Sequence, residues 1–357
     1  MITLLGGQFV DNDRIRAALL GSIALLRAKA AENGAIPNNV DAVTLRPNFR
    51  AYADAGLWWI IGSAILAPDP ASTAKILRWY ECQDVDQTGL ISMQESSDWQ
   101  DLFCTRGKGL YLNCLYVLSL RAAGDHRRAK RVAEMINRYF WYRGDGDMVR
   151  HISHTFSTES SSTGNGDQND SLGRPRWLPV KRHLTTAGYY LPWLGFRTVG
   201  DWFDSLGNLL AILSDVADQS QTASILDLIE QEGLGDAPLR SLTPVVRPGD
   251  PDWRDYYGTL NLPDHYHNGG VWPFIGGFYV AALVRAGRLK QASRALDRLA
   301  ALNRAGEFNE WHHGESLAPM GMKDQAWSAG MYLFALECVK RSEVPEWFFG
   351  IRSGQTV

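Results

Sequence analysis

Apolar residues recur at i, i+3 and i+4 through 13–31, 53–66, 108–123, 127–141, 202–217, 221–231, 272–286, 289–302 and 325–341, and this spacing predicts a helix over each stretch. Several of these come in pairs. Ala123-Gly124-Asp125 and Ala286-Gly287-Arg288 each interrupt two periodic stretches, which reads as helix, glycine C-cap and second helix, the signature of a helical hairpin. Alternating strand patterns are sparse, so the expected class is all-α. A chain of helical hairpins with long, aromatic-rich connections implies a closed α/α toroid or an open solenoid. No fixed period of recurring residues is visible, which counts against TPR, HEAT and armadillo arrays.

Two irregular stretches break the pattern. Residues 144–186 centre on a run from Ser157 to Asp170 made almost wholly of Ser, Thr, Gly, Asn, Asp, Gln and Glu, and read as a polar excursion or lid from one 357-residue domain. A linker between two domains is the competing reading. Residues 242–270 contain Pro244, Pro248, Pro251 and Pro263 and end in His265-Tyr266-His267-Asn268-Gly269-Gly270. That segment delivers polar and aromatic groups to the start of the helix at Trp272.

Composition narrows the class. The formal net charge is −3 and charged residues make up 21%, so no basic field is available for a nucleic acid. No segment reaches the roughly 20 apolar residues of a membrane span, and Met1 to Gly7 lack the basic start and long apolar run of a secretory signal. Cys82, Cys104, Cys114 and Cys338 show no CxxC spacing and read as reduced thiols, so a soluble cytoplasmic protein is expected. The informative excess is 13 Trp, a residue that sugar sites, interfaces and large cores all favour.

The candidate chemistry lies in segments where carboxylates sit among rings, amides and imidazoles. Glu307-Phe308-Asn309-Glu310-Trp311-His312-His313-Gly314-Glu315 and Lys323-Asp324-Gln325-Ala326-Trp327-Ser328 suggest a sugar pocket, with apolar ring faces for pyranose C–H groups and a carboxylate whose basicity partial burial can tune. Glycoside hydrolysis needs one carboxylic acid and a second carboxylate. Asp101, in Asp98-Trp99-Gln100-Asp101, could pair with Glu310, while Asp98 taken alone reads better as a cap on, or a solvated residue at, a helix start. Asp54 precedes Trp58-Trp59, adjacent helix positions about 100° apart, so one ring can face a pocket while the other packs. Asp84-Val85-Asp86-Gln87-Thr88-Gly89 with Glu95 has EF-hand spacing, but Thr88 stands at its fifth place and no second copy accompanies it. His265 and His267 could seat zinc on a strand, yet no third ligand is nearby. The chain has no G-x-S-x-G, HExxH, P-loop or GxGxxG motif.

Four ordered motifs carry a family resemblance: Ala53-Asp54-Ala55-Gly56-Leu57-Trp58-Trp59-Ile60, Phe203-Asp204-Ser205-Leu206-Gly207-Asn208-Leu209, His267-Asn268-Gly269-Gly270-Val271-Trp272-Pro273, and Gln325-Ala326-Trp327-Ser328-Ala329-Gly330-Met331-Tyr332-Leu333. From about Asp54 to Leu336 the chain resembles the neutral/alkaline invertases of glycoside hydrolase family 100. Family 63 α-glycosidases, trehalases and glycogen-debranching glucosidases look like more distant kin. The resemblance implies an (α/α)6 barrel and inverting hydrolysis without metal or organic cofactor, with carboxyl groups roughly 6.5–9.5 Å apart. It further implies Glu310, in a W-P-E-Y-Y-like position, as general base, and Asp101, in a W-M-(I)-D-like position, as acid, with Asp98 as the fallback. Asp54 would hold sugar hydroxyls, and Trp58, Trp59, Trp99, His267, Asn268, Trp272, Trp311, Gln325 and Trp327 would line the substrate site.

Two departures qualify this. The invertases carry Arg-Arg-Met-Gly after the acid, where this chain has Leu102-Phe103-Cys104-Thr105-Arg106, and Lys108-Gly109-Leu110-Tyr111 replaces their His-Pro-Leu-Glu. Sucrose therefore stays one candidate among small α-glucosides, short oligosaccharides and glucosyl- or mannosyl-glycerates. The chain also begins closer to the Asp54 motif than the invertases do, so the first barrel helices are expected to be missing, shortened or supplied by a neighbouring subunit, and the oligomeric state is left open. An isomerase or epimerase using His267, His312 or His313 is a second reading. A non-catalytic helical scaffold is a third, and it requires that Asp101 and Glu310 share no cavity.

Overall fold

The computed structural model describes residues 1–50, 52–142, 188–195 and 198–349, so the polar excursion at 144–186 lies outside the described residues. Eleven α-helices among these residues alternate between two kinds of sequence. One kind is apolar nearly all round: α3 (Ala55–Leu66), α5 (Leu110–Ala122), α7 (Ser205–Leu213), α9 (Pro273–Arg285) and α11 (Ala326–Arg341). All nine residues of α7 are buried, as expected for a helix enclosed by others. The other kind is two-faced: α2 (Asp13–Ala28), α4 (Pro70–Glu81), α6 (His126–Tyr139), α8 (Gln219–Gln231) and α10 (Leu289–Gly306). In α6 only Ala129, Val132, Ile136 and Tyr139 are buried, a single stripe at three- and four-residue steps.

This alternation sorts the helices into two layers. The apolar helices touch in the order α3, α5, α7, α9, α11, and the short α1 (Ile2–Gly7) contacts both α11 and α3, closing an inner ring of six. The amphipathic helices lie outside it, each turning its one stripe inward. The described residues thus form an (α/α)6-type barrel. At the closure α1 lies almost on the backbone of α11. A Cβ on Gly6 would meet the Gly330 carbonyl oxygen, and one on Gly330 would come within 2.7 Å of the Thr3 carbonyl oxygen. Only glycine permits that approach.

Local chemistry fixes the helix starts. Asn12 accepts from the amides of Arg14 and Ile15, Asp69 from Ser72 with Pro70 in the first turn, and Asp218 and Gln221 form a reciprocal capping box. Two helices lie outside the predicted set, α1 and α4, and two predicted starts move inward. Residues 108–109 form a short strand ahead of α5, and 203–204 another ahead of α7. Among the described residues no helix is long and apolar enough to cross a membrane. Cys104, Cys114 and Cys338 are buried and Cys82 is exposed, all as free thiols.

Candidate active site

The loops at one end of the inner ring converge on a cavity of about 500 Å³. Its wall includes Tyr52, Asp54, Trp58, Trp99, Asp101, Tyr266, His267, Trp272, Glu310, Gln325 and Trp327. Asp101 and Glu310, some two hundred positions apart, therefore face one space, and the scaffold reading fails on this point.

Hydrogen bonds stitch the contributing loops together. Ala53 N–H donates to Ser97 O (2.6 Å), tying the lead into α3 to the loop that carries Asp101. That loop is closed by paired bonds between Met93 and Gly107 (2.8 and 3.0 Å). Asn261 Nδ2 donates to Leu102 O (2.8 Å), and Val271 exchanges two bonds with His312 (2.8 and 2.7 Å), so the His267 loop is joined to both carboxylate segments. Non-glycine residues with left-handed backbone cluster here: Leu102 follows Asp101, Tyr266 precedes His267, Glu307 and Phe308 precede Glu310, and Asp324 precedes Gln325. Such φ values are costly and persist where surrounding structure over-determines them.

Asp101 is held from two sides. Tyr52 donates its hydroxyl to Oδ2 (2.6 Å), and His267 Nε2 lies 3.1 Å from Oδ1. Burial pushes the Asp101 carboxyl up, but the bonds from His267 and Tyr52 outweigh it and leave the group below the usual carboxylate range. His267 is 1% exposed, stacked on Trp272 (5.1 Å, 6°) and edge-on to Trp99. Burial lowers its proton affinity against the pull of Asp101. Glu310 pairs its backbone N–H with Met322 O (2.8 Å) and accepts the Met322 N–H on Oε2 (3.2 Å). Gly321 must be glycine for this arrangement: its φ is +69°, and a Cβ there would lie 2.5 Å from Glu310 Oε2.

Three further carboxyls lie close by, Asp54 in the cavity wall and Asp98 and Asp204 outside it. Asp54 occupies the N-cap position of α3 without capping it; Oδ2 accepts instead from Tyr111 (2.8 Å), which in turn receives the Trp58 indole N–H (2.7 Å). Burial raises Asp54 to about 6, opposed by the Tyr111 bond. Asp98 is raised to about 7 by burial and then by Asp54, and Asp204 to about 8 by burial and then by Asp98. Each like charge makes its neighbour's ionisation dearer.

The remaining predicted residues divide. Trp58, Trp99, His267, Trp272, Gln325 and Trp327 line the cavity. Trp59 does not: it is buried with its indole N–H on Ile23 O (3.0 Å), because the 100° step turns it away from Trp58. Asn268 is a clamp, joined to Val246 N and O (2.7 Å each) and Asn261 O (3.0 Å). Trp311 packs behind Tyr266 and His265. Asp98 lies outside the cavity wall, accepting from Gln100 N (2.9 Å) and Thr105 Oγ1 (3.1 Å), and starts no helix. His312 is buried with Nδ1 on Leu317 O (3.1 Å), and neither it nor His313 reaches the cavity. Sequence reasoning missed Tyr52 and Tyr266, which stand in irregular loops where no periodicity signals a direction.

Of the acids in the EF-hand-like loop, Asp84 accepts the Gly89 N–H (2.9 Å) and the other two are turned to cations. Asp86 pairs with Lys108 Nζ (2.8 Å) and Glu95 receives Arg254 on both oxygens (2.9 and 3.0 Å). Among the described residues no three His, Cys, Asp or Glu side chains converge as metal ligands.

Comparison with known proteins agrees with this architecture. The chain is 28% identical over 328 residues to a probable alkaline/neutral invertase D of Arabidopsis thaliana, covering 80% of this chain and 59% of that protein. It is 28% identical over 337 residues to cytosolic invertase 1 of Oryza sativa subsp. japonica, covering 80% and 56%. It thus spans rather more than half the length of these relatives. Among solved structures, a family 63 mannosylglycerate hydrolase from Thermus thermophilus in complex with glucose superposes with a TM-score of 0.58 at 15% identity, covering 93% of this chain and 90% of that one. A bacterial glucoamylase complexed with acarbose gives 0.61 at 14% identity, covering 97% and 50%. These likenesses establish the (α/α)6 fold. Residues 120–342, more than half of the chain, match the family model for alkaline and neutral invertases, and the chain belongs to that family.

Proposed function

We propose that this chain is a glycoside hydrolase that cleaves the α-glycosidic bond of a small α-glucoside with inversion, Asp101 protonating the leaving oxygen and Glu310 activating water. The observation that carries this reading is that these two carboxylates, remote in sequence, face one cavity of about 500 Å³. Asp54, held by Tyr111, is placed to bind sugar hydroxyls, and Trp58, Trp99, Trp272 and Trp327 offer ring faces to the pyranose. The relatives' names point to sucrose, and a structural neighbour is a mannosylglycerate hydrolase. An isomerase reading would need an imidazole free to shuttle a proton, whereas His267 is engaged with Asp101.

The test is a panel of sucrose, trehalose, simple α-glucosides and glucosyl- and mannosyl-glycerate, with released sugar measured by chromatography. The anomer first formed is read by NMR before mutarotation. Release of the β-anomer from an α-glycoside supports the mechanism; retention would refute inversion, and interconversion of free sugars would favour the isomerase.

A further inference from the structure

Asp101 accepts on both oxygens, and its two donors are unlike. His267 is immobilised between Trp272 and Trp99, its backbone N–H fixed to Asn261 Oδ1 (3.0 Å). Its Nε2 faces a carboxylate and is assigned as the protonated nitrogen. Tyr52 stands on the other side in the lead into α3, where Ala53 is tied at both ends, to Ser97 O (2.6 Å) and to the Tyr80 hydroxyl (2.6 Å). The backbone beside the ring is therefore fixed, and the phenolic hydroxyl can rotate about its C–O bond and change from donor to acceptor.

A carboxyl that protonates a glycosidic oxygen must carry its proton on an oxygen able to exchange partners. Oδ1 is anchored by a rigid imidazole; Oδ2 faces a hydroxyl that can turn. We propose that Tyr52 is a positioning residue that holds Asp101 ionised in the empty cavity and yields Oδ2, as the proton-donating oxygen, to the arriving glycosidic oxygen. This deepens the hydrolase reading and rests on it. When Asp101 is protonated, the Oδ2 proton passes to the leaving oxygen as the C–O bond breaks; Tyr52 keeps its own proton throughout. Its hydroxyl is raised by burial and then by Asp101, so it does not ionise in the working range. The other charged or titratable groups facing Asp101 are Arg50 beside Tyr52, Asp54 in the cavity wall and Asp98 outside it, Glu310 on the same cavity, and His267 and Tyr266 from the loop before α9.

Tyr52→Phe removes one donor from the carboxylate and keeps the ring. A hydrogen bond that favours the charged form lowers the group's pKa, so its loss raises it, here by about one pH unit. Asp101 can be followed directly by NMR of protein carrying carboxyl-13C aspartate, its resonance identified by its absence in Asp101→Asn. An upward shift of about one unit in Tyr52→Phe is expected. Where Asp101 is the acid, the gain in protonated fraction is complete once the pH exceeds both titrations, so the ratio of variant to wild-type kcat/KM should climb from about one in acid, below both titrations, to a plateau of about tenfold held through neutral pH. An unchanged Asp101 titration would overturn the proposal, whatever the activity. A shifted titration with an activity ratio that stays near one at neutral pH, in an enzyme that Asp101→Asn inactivates, would overturn the role of Tyr52 in proton delivery. Substantial hydrolysis by Asp101→Asn would instead sink the assignment of the acid. Equal unfolding midpoints of wild type and Tyr52→Phe control for the fold.

Discussion

Asp101 and Asp98 sit three residues apart on one loop, and their surroundings make them different reagents. Asp101 opens on the cavity and is steadied by two donors. Asp98 lies behind the cavity wall, 2% exposed, where burial pushes it to about 7. On proton affinity alone Asp98 is the better acid near neutrality; on access it is no candidate. Geometry takes precedence, because a general acid must reach the atom it protonates.

The strongest way to break this contrast is to neutralise each member in turn. Asp101→Asn and Glu310→Gln should each lower kcat/KM by roughly 10²–10⁴-fold with unchanged unfolding midpoints, whereas Asp98→Asn should stay within about tenfold of wild type. Equal losses at positions 98 and 101 would erase the distinction drawn between the two carboxyls.

A subtler disturbance is Gly321→Ala, whose added methyl would press on Glu310 Oε2. Displacing Glu310, the proposed base, by a fraction of an ångström should cost between about ten- and a hundredfold in kcat; a fully active variant would show that Glu310 is not positioned by this contact.

Stability against pH sharpens the contrast from the other side. The folded-state pKa values of Asp54, Asp98 and Asp204 are raised to about 6, 7 and 8. Folding therefore favours their protonated forms, and the stability so gained is present below the unfolded value of 3.8 and lost as pH rises towards 8. The Asp98 shift, from 3.8 to about 7, corresponds to on the order of 4 kcal/mol. Asp98→Asn mimics the protonated form, so its unfolding midpoint should fall less between pH 5 and pH 8 than that of wild type. Parallel curves would show that Asp98 is not the group being desolvated.

The smallest expected effects separate the two adjacent tryptophans. Trp58→Phe should raise KM a few-fold, since that ring faces the cavity and its N–H supports Tyr111. Trp59→Phe should lower stability by roughly 1–3 kcal/mol through lost packing and the bond to Ile23 O, leaving KM alone.

The inner helices were legible because enclosure writes itself into sequence: α5 and α9 are apolar on every face, and α6 carries one stripe. By contrast α4 buries only Ile76, Leu77 and Tyr80, too few for a clear period, although Asp69-Pro70 marks its start. The six-residue α1 offers less than two turns. At the site, carboxylates could be found from their neighbours, and Asp101, Glu310 and Asp54 do meet in one cavity. Asn268 and Trp311 stand in the same motifs and could not be told from lining residues. Their direction is set by loops with left-handed turns, for which the one-dimensional pattern holds no rule.

The closure at α1 gives the barrel a mechanical character of its own. A ring of six helices is a hoop, and here the clasp is less than two turns long, fastened where Gly6 and Gly330 meet. Ile2 and Thr3 of that clasp also border the proposed substrate cavity. Occupancy of the cavity and fastening of the hoop are therefore thermodynamically linked: a bound sugar should hold the clasp shut and slow amide exchange in α1 and the facing turn of α11 together.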